Sequence, residues 1–193
     1  MIKKSILLAI FIIQTLTANV IIRPALESDL SEIINLDRKV SWEYFKPIFL
    51  QYTGLPLAEK PEELLEKDLE FDKEMFIQSI HNQNNRYLNI AINSDKIVGF
   101  IAFRVEKSTI YIELILVDKD YRYKKIGHRL IDTVISNFQN IYSIGLIVLD
   151  KNISAIKFYQ TYGFKWQEMP KDIELPQDYP HIYLFYRFDI TKF

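Results

Sequence analysis

The sequence predicts a mixed α/β (α+β) domain, with a central mixed sheet of six or seven strands and helices on both faces. Three observations predict it. At 49% hydrophobic residues, the 193-residue chain is apolar enough to bury a core and too apolar to stay disordered. Short β-branched runs alternate with segments whose apolar residues recur at helical spacing. Three strands follow one another across tight turns in the first half, whereas helices separate the later ones, so antiparallel hairpins feed crossover units.

Asn19 to Arg23 reads as a short β-branched strand stopped by Pro24. Ser28 or Asp29 is placed to cap a helix whose positions Leu30, Ile33, Ile34 and Val40 share one face. Trp42 to Leu57 is aromatic and proline-punctuated, and no element is assigned to it. Glu62 to Ile80 reads as one or two amphipathic helices with Glu/Lys pairs outside. After a polar turn at Asn82 to Asn85, strands Tyr87 to Ile92 and Ile97 to Val105 flank the hairpin turn Asn93-Ser94-Asp95-Lys96. Thr109 to Val117 is a third strand. Ile126, Leu130, Ile131, Val134, Ile135 and Phe138 then mark an amphipathic helix. Ile144 to Leu149 is a strand, and Ala155 to Tyr162 a helix burying Ile156 and Tyr159. Phe164 to Gln167 and Ile182 to Phe188 are closing strands. No repeat or flexible linker divides residues 19–193, which read as a single domain.

Composition excludes several chemistries. There is no cysteine, so disulfides, thiol catalysis and thiolate metal sites are absent. His81, His128 and His181 are not spaced as a metal motif, and no protein-built metal site is expected. With 24 Lys/Arg against 25 Asp/Glu, the chain does not resemble a non-specific nucleic-acid binder. Neither a Walker loop nor the Rossmann glycine triplet occurs. Residues 1–18, MIKKSILLAIFIIQTLTA, have two lysines, an apolar run from Ile6 to Ile13 and a small residue at Ala18. They read either as a secretory leader or as an extra N-terminal helix. The chain is cytoplasmic if the leader is unused, and otherwise exported or membrane-tethered.

Five glycines occur in all, so each one is informative. Gly127 opens a helix directly after a charged turn carrying Arg122, Lys124 and Lys125, with Arg129 just beyond. Unpaired N–H groups at a helix start, beside several cations, form a phosphate cradle; a charged solvated turn is the plainer reading. Gly163 follows the second crossover helix as a left-handed C-cap, and Phe164 returns the chain to the core.

These segments resemble the GNAT superfamily of N-acetyltransferases. Its acetyl-CoA pyrophosphate loop, Arg/Gln-x-x-Gly-x-Gly/Ala, follows a strand ending in valine. Here Val117 ends the strand, Arg122 and Gly127 occupy the first and last motif positions, and Lys125 replaces the first glycine. That replacement either demands left-handed geometry of a lysine or narrows the loop. The second family segment is matched by Asn152, Ala155, Phe158-Tyr159 and Gly163-Phe164. Smaller agreements are Ile22-Arg23-Pro24-Ala25 with Asp29, and Val98-Gly99-Phe100.

The resemblance implies a GNAT-type acyltransferase fold and acetyl transfer from acetyl-CoA to a primary amine. Main-chain N–H groups across Arg122, Tyr123, Lys124, Lys125, Ile126 and Gly127 would hold the diphosphate. The exposed main chain at Leu116 and Val117 would pair with the pantetheine arm, in a gap between two parallel strands. Tyr159 is the implied general acid at the sulfur, and Asn152 an orienter near the cofactor arm. Glu113, an acid in an otherwise apolar strand, is either the base or substrate anchor, or a structural or solvent-facing group. His128 is expected to face solvent. Aromatic and acidic residues of the middle region (Trp42, Glu43, Tyr44, Phe45, Phe49, Tyr52, Glu62, Glu63) and of the late loop (Asp172, Asp178, Tyr179, Tyr183) suit a cationic acceptor: a small amine or polyamine, or the amine of a peptide or protein. The chain is expected as a monomer or homodimer. A non-catalytic acyl-CoA-binding or protein-interaction domain of the same fold is the alternative.

Overall fold

The computed structural model describes residues 20–49, 61–171, 173 and 183–190. The leader, Tyr52, Asp172, Asp178, Tyr179 and His181 lie outside the described residues, as do the side chains of Tyr44, Phe45, Phe49, Glu62 and Glu63. The element order is β1 (Ile21–Pro24), α1 (Leu30–Phe49), α2 (Pro61–Ile80), β2 (Arg86–Asn93), β3 (Lys96–Glu106), β4 (Thr109–Val117), α3 (Ile126–Asn137), β5 (Ser143–Leu149), α4 (Ile153–Tyr162), β6 (Lys165–Gln167) and β7 (Tyr183–Asp189). The strands form one seven-stranded sheet in the order β1-β2-β3-β4-β5-β7-β6. Within it, β4 and β5 run parallel and the other neighbours antiparallel.

Alternation along the strands sends apolar side chains to both faces, so each face needs a cover. On one side Ile33, Leu36 and Val40 of α1 and Met75 and Phe76 of α2 bury Leu88, Ile90, Phe100 and Ala102. Phe76 meets Phe100 edge-on at 5.2 Å. On the other side Ile126, Leu130, Ile131 and Val134 of α3 and Tyr159 of α4 pack on Ile101, Phe103, Ile110, Ile112, Ile144 and Leu146.

Two local readings are settled differently or further than the sequence took them. The stretch from Trp42, to which the sequence assigned no element, is helical as far as Phe49. Pro47 lies in the last turn, two residues before Phe49. The start of α1 also differs. A 3₁₀ turn at Glu27–Asp29 precedes it, and Asp29 accepts the N–H of Leu26 at 2.8 Å. Arg23 grips the same carboxylate at 2.7 and 2.9 Å, tying edge strand β1 to the helix entry. Gly163 has φ 118° and its N–H bonds the Tyr159 carbonyl at 3.1 Å, the C-cap its sequence position implied.

The hydrogen bonds from Arg23 hold the Asp29 carboxyl below the usual carboxylate range. Its stabilisation is therefore complete above that range and fades as pH falls through the depressed value. Asp29→Ala should lower stability at neutral pH by about 1–2 kcal/mol. Urea titrations at neutrality and at about pH 3 should show the gap to wild type shrinking in acid.

Candidate active site

The site begins with an irregularity in β4. Its register with β3 runs Phe103↔Ile112 and then Ala102↔Leu114, so Glu113 is an extra, bulged residue. The bulge reverses the alternation: Ile112 faces the α3–α4 core, whereas Leu114 faces the α1–α2 core. Bulges bend a strand and sharpen its twist. Accordingly the parallel pairing of β4 with β5 ends at Ile112↔Leu146, although β4 continues to Val117 and β5 to Leu149. A cavity of about 400 Å³ sits at this parting, lined by Arg104, Tyr111, Ile112, Glu113, Leu146, Ile147 and Ile173.

Glu113 forms part of the cavity wall and is only 11% exposed. Arg86 holds it with Nε at 3.0 and 3.2 Å and Nη2 at 3.0 Å, and Arg104 Nη1 adds a bond at 3.3 Å. The two arginines are direct partners across β2 and β3, a like-charge pair that the carboxylate makes tolerable. Gln78 of α2 accepts from Arg86 at 2.9 Å, and the Arg104 guanidinium lies 4.9 Å from the Tyr111 ring centre. Burial works against the Arg104 cation, but bonds and charge from Glu106 and Glu113 outweigh it and raise its pKa. Glu113 is thus not solvent-facing. Residue-by-residue reading missed its two guanidinium partners, because they lie on β2 and β3 and a register shift between Ala91 and Ile92 is what sets Arg86 opposite Arg104.

At the far end of β4 the chain turns toward α3. Leu116 and Val117 end the strand beyond its last pairing with β5. Arg122 Nε donates to the Val117 carbonyl at 3.0 Å, and Lys124 Nζ to the Asp120 carbonyl at 3.0 Å. Tyr123 and Lys125 both take left-handed backbone, φ 61° and 58°, and Tyr123 is wholly exposed. Each such residue costs about 1–2 kcal/mol relative to a right-handed one. Of the two consequences that lysine at the glycine position left open, Lys125 shows the left-handed backbone. It is the N-cap of α3, and no side chain caps that helix, so its first N–H groups have no intrahelical acceptor. Ile126 is buried and anchors the first turn in the core.

Gly127 has a different reason for being glycine. Its φ is not positive; a Cβ there would lie 2.9 Å from Cζ of Phe158. The ring of α4 therefore packs directly against the opening turn of α3. His128 is half-buried against Phe158 at 5.3 Å and Tyr162 at 5.4 Å, which corrects the solvent-facing expectation. Asn152 caps α4, its side chain accepting the N–H of Ala155 at 3.2 Å. Tyr159, next to Phe158, is buried between the rings of Phe158 and Phe164, at 5.3 and 5.6 Å. Desolvation pushes its phenol well above the ordinary tyrosine range.

A model of the acetyltransferase (GNAT) domain matches residues 57–172. The chain belongs to the GNAT acetyltransferase family. It is an acetyl-CoA-dependent acyltransferase. Among solved structures, an acetyltransferase of the GNAT family from Staphylococcus aureus is similar with 27% identity and a TM-score of 0.61, covering 89% of this chain and 99% of that one. The PaiA N-acetyltransferase of Thermoplasma acidophilum, solved in complex with coenzyme A, shares the fold at a TM-score of 0.67 and 20% identity, covering 89% and 99%. The GNAT fold expected from the sequence is thus present.

The contact between Gly127 and Phe158 is testable. Gly127→Ala should destabilise the protein by about 1–3 kcal/mol. Phe158→Leu in the same chain should recover part of that loss in thermal unfolding. Full stability of the single alanine variant would show that the two helices are not packed this closely.

Proposed function

We propose that the protein transfers the acetyl group of acetyl-CoA to a primary amine by direct attack, in the gap between β4 and β5. The observation that carries this reading is the end of β4–β5 pairing at the Glu113 bulge, with the Arg122–Gly127 turn and the uncapped start of α3 at the far end of the same strand. Bound acetyl-CoA supplies an acetyl carbon activated as a thioester.

The chain's own residues suit that donor. N–H groups at the start of α3 and along Arg122–Gly127 match a diphosphate, and Lys124 and Lys125 add positive charge. The β4 edge from Glu113 to Val117, Leu116 included, lies beyond its last β5 pairing and offers main-chain groups to the amides of the pantetheine arm. Arg122, bonded to the Val117 carbonyl, shapes the junction of strand and loop. Asn152 sets the start of α4, the helix that carries Tyr159.

Tyr159 donates its hydroxyl proton to the sulfur as the C–S bond breaks and the amine nitrogen bonds to the acetyl carbon. A tyrosine phenol is protonated at neutral pH, and burial raises its pKa further. Glu113, fixed at the cavity wall by Arg86 and Arg104, orients the acceptor amine and takes its proton directly or through water. The acceptor is a small amine or polyamine, or the amine of a peptide or protein. Acidic residues in the sequence of the middle region and the late loop suit a cationic acceptor.

Tyr159→Phe should lower kcat by about 10²–10³-fold while acetyl-CoA affinity stays within about threefold. Glu113→Gln should abolish the acidic limb of the kcat/KM profile; an unchanged limb would remove Glu113 from proton transfer. Acetylation across a panel of polyamines, lysine peptides and peptide N-termini tests the activity itself. No transfer to any of them would overturn the reading.

A further inference from the structure

The end of β4 is clasped to α1. Asp118 follows Val117, and its side chain is 1% exposed. Its Oδ2 accepts from Lys39 Nζ at 3.0 Å and lies 3.6 Å from Lys96 Nζ, while Oδ1 accepts the N–H of Asp120 at 3.2 Å. One helical turn further along α1, Glu43 accepts from Lys119 Nζ at 2.8 Å. A cation and an anion four residues apart on α1 therefore meet an anion and a cation adjacent in the loop, in complementary order. Because α1 covers one face of the sheet and α3 the other, this clasp reaches around the end of β4.

The loop has reason to need it. Tyr123 and Lys125 hold left-handed backbone that non-glycine residues keep only where their surroundings over-determine it. Asp118 contributes main-chain bonds as well: its N–H donates to Val98 at 2.9 Å, and its carbonyl accepts from Tyr121 at 2.9 Å. Desolvation opposes the buried charge, but Lys39, the Asp120 N–H and Lys96 outweigh it and hold the carboxyl below its usual range.

We propose that Asp118 is a positioning residue for acetyl transfer, through which α1 holds residues 118–125 in the shape that receives the diphosphate of the donor. This rests on placing that diphosphate at Arg122–Gly127. Two substitutions separate the parts of the clasp. Asp118→Asn keeps an acceptor for the Asp120 N–H but loses the charge. Lys39→Met removes the cation of α1, leaves Asp118 otherwise intact, and alters a side chain that is 43% exposed, so it tests the proposal even if Asp118→Asn fails to fold.

Coenzyme A affinity by calorimetry, and amide exchange across 119–125 without coenzyme A, are the readouts. Each single variant should bind coenzyme A about tenfold more weakly and exchange faster at 119–125, and the double variant should be no worse than the poorer single, because the two residues act as one unit. Turnover at saturating acetyl-CoA should change by less than about threefold, since only positioning is lost. Variants matching wild type in affinity and exchange, or adding their effects independently, would overturn the clasp while leaving the acetyl-CoA site in place. A wild-type protein that binds no coenzyme A would overturn the diphosphate placement, and this proposal with it.

Discussion

A single surplus residue in β4 organises the rest of the molecule. With Glu113 bulged, the strand's side chains change face between Ile112 and Leu114, and its partnership with β5 stops at Leu146. A parallel pair held to its full length would be one more stretch of continuous sheet. Parted, it leaves a main-chain edge and a cavity at the centre of the domain. The bulge is itself fixed by charge: an acid at this place, nearly out of solvent, is stable because Arg86 and Arg104 grip it from neighbouring strands.

The second constraint is how close α3 and α4 approach. Both cover the same face beyond the parting, and Phe158 meets the opening turn of α3 at a position that only glycine leaves empty. That contact places the buried Tyr159, its chain neighbour, on the helix packed against the start of α3. Burial in turn raises the phenol's pKa. Packing and the phenol's environment thus follow from one helix contact.

Much of this was legible in the sequence, and the illegible parts have physical reasons. Apolar runs between polar turns located β2 through β4, buried on both faces, and helical spacing of one buried face located α3 and α4, nearly to the residue. The left-handed Lys125 was one of the two outcomes that a lysine at a motif glycine position left open. The far half of α1 escaped because Pro47 reads as a breaker, although the helix continues past it to Phe49. The partners of Glu113 escaped for a deeper reason. Counting back from a hairpin turn pairs strand residues correctly only until a bulge intervenes. A register shift in the β2–β3 ladder sets Arg86 opposite Arg104, where counting would give Phe103, and one in the β3–β4 ladder makes Glu113 the surplus residue. Asp118 reads locally as one charge in a charged turn, and its partners on α1 are far away in the chain.

The central claim is that the loose edge of β4 and the turn into α3 together receive the donor. Amide chemical shifts followed while coenzyme A is added test it most directly. The account predicts changes concentrated at Glu113–Val117 and Arg122–Gly127, saturating together with a single dissociation constant. Shifts confined to other surfaces, or a loop that responds while the β4 edge does not, would contradict it.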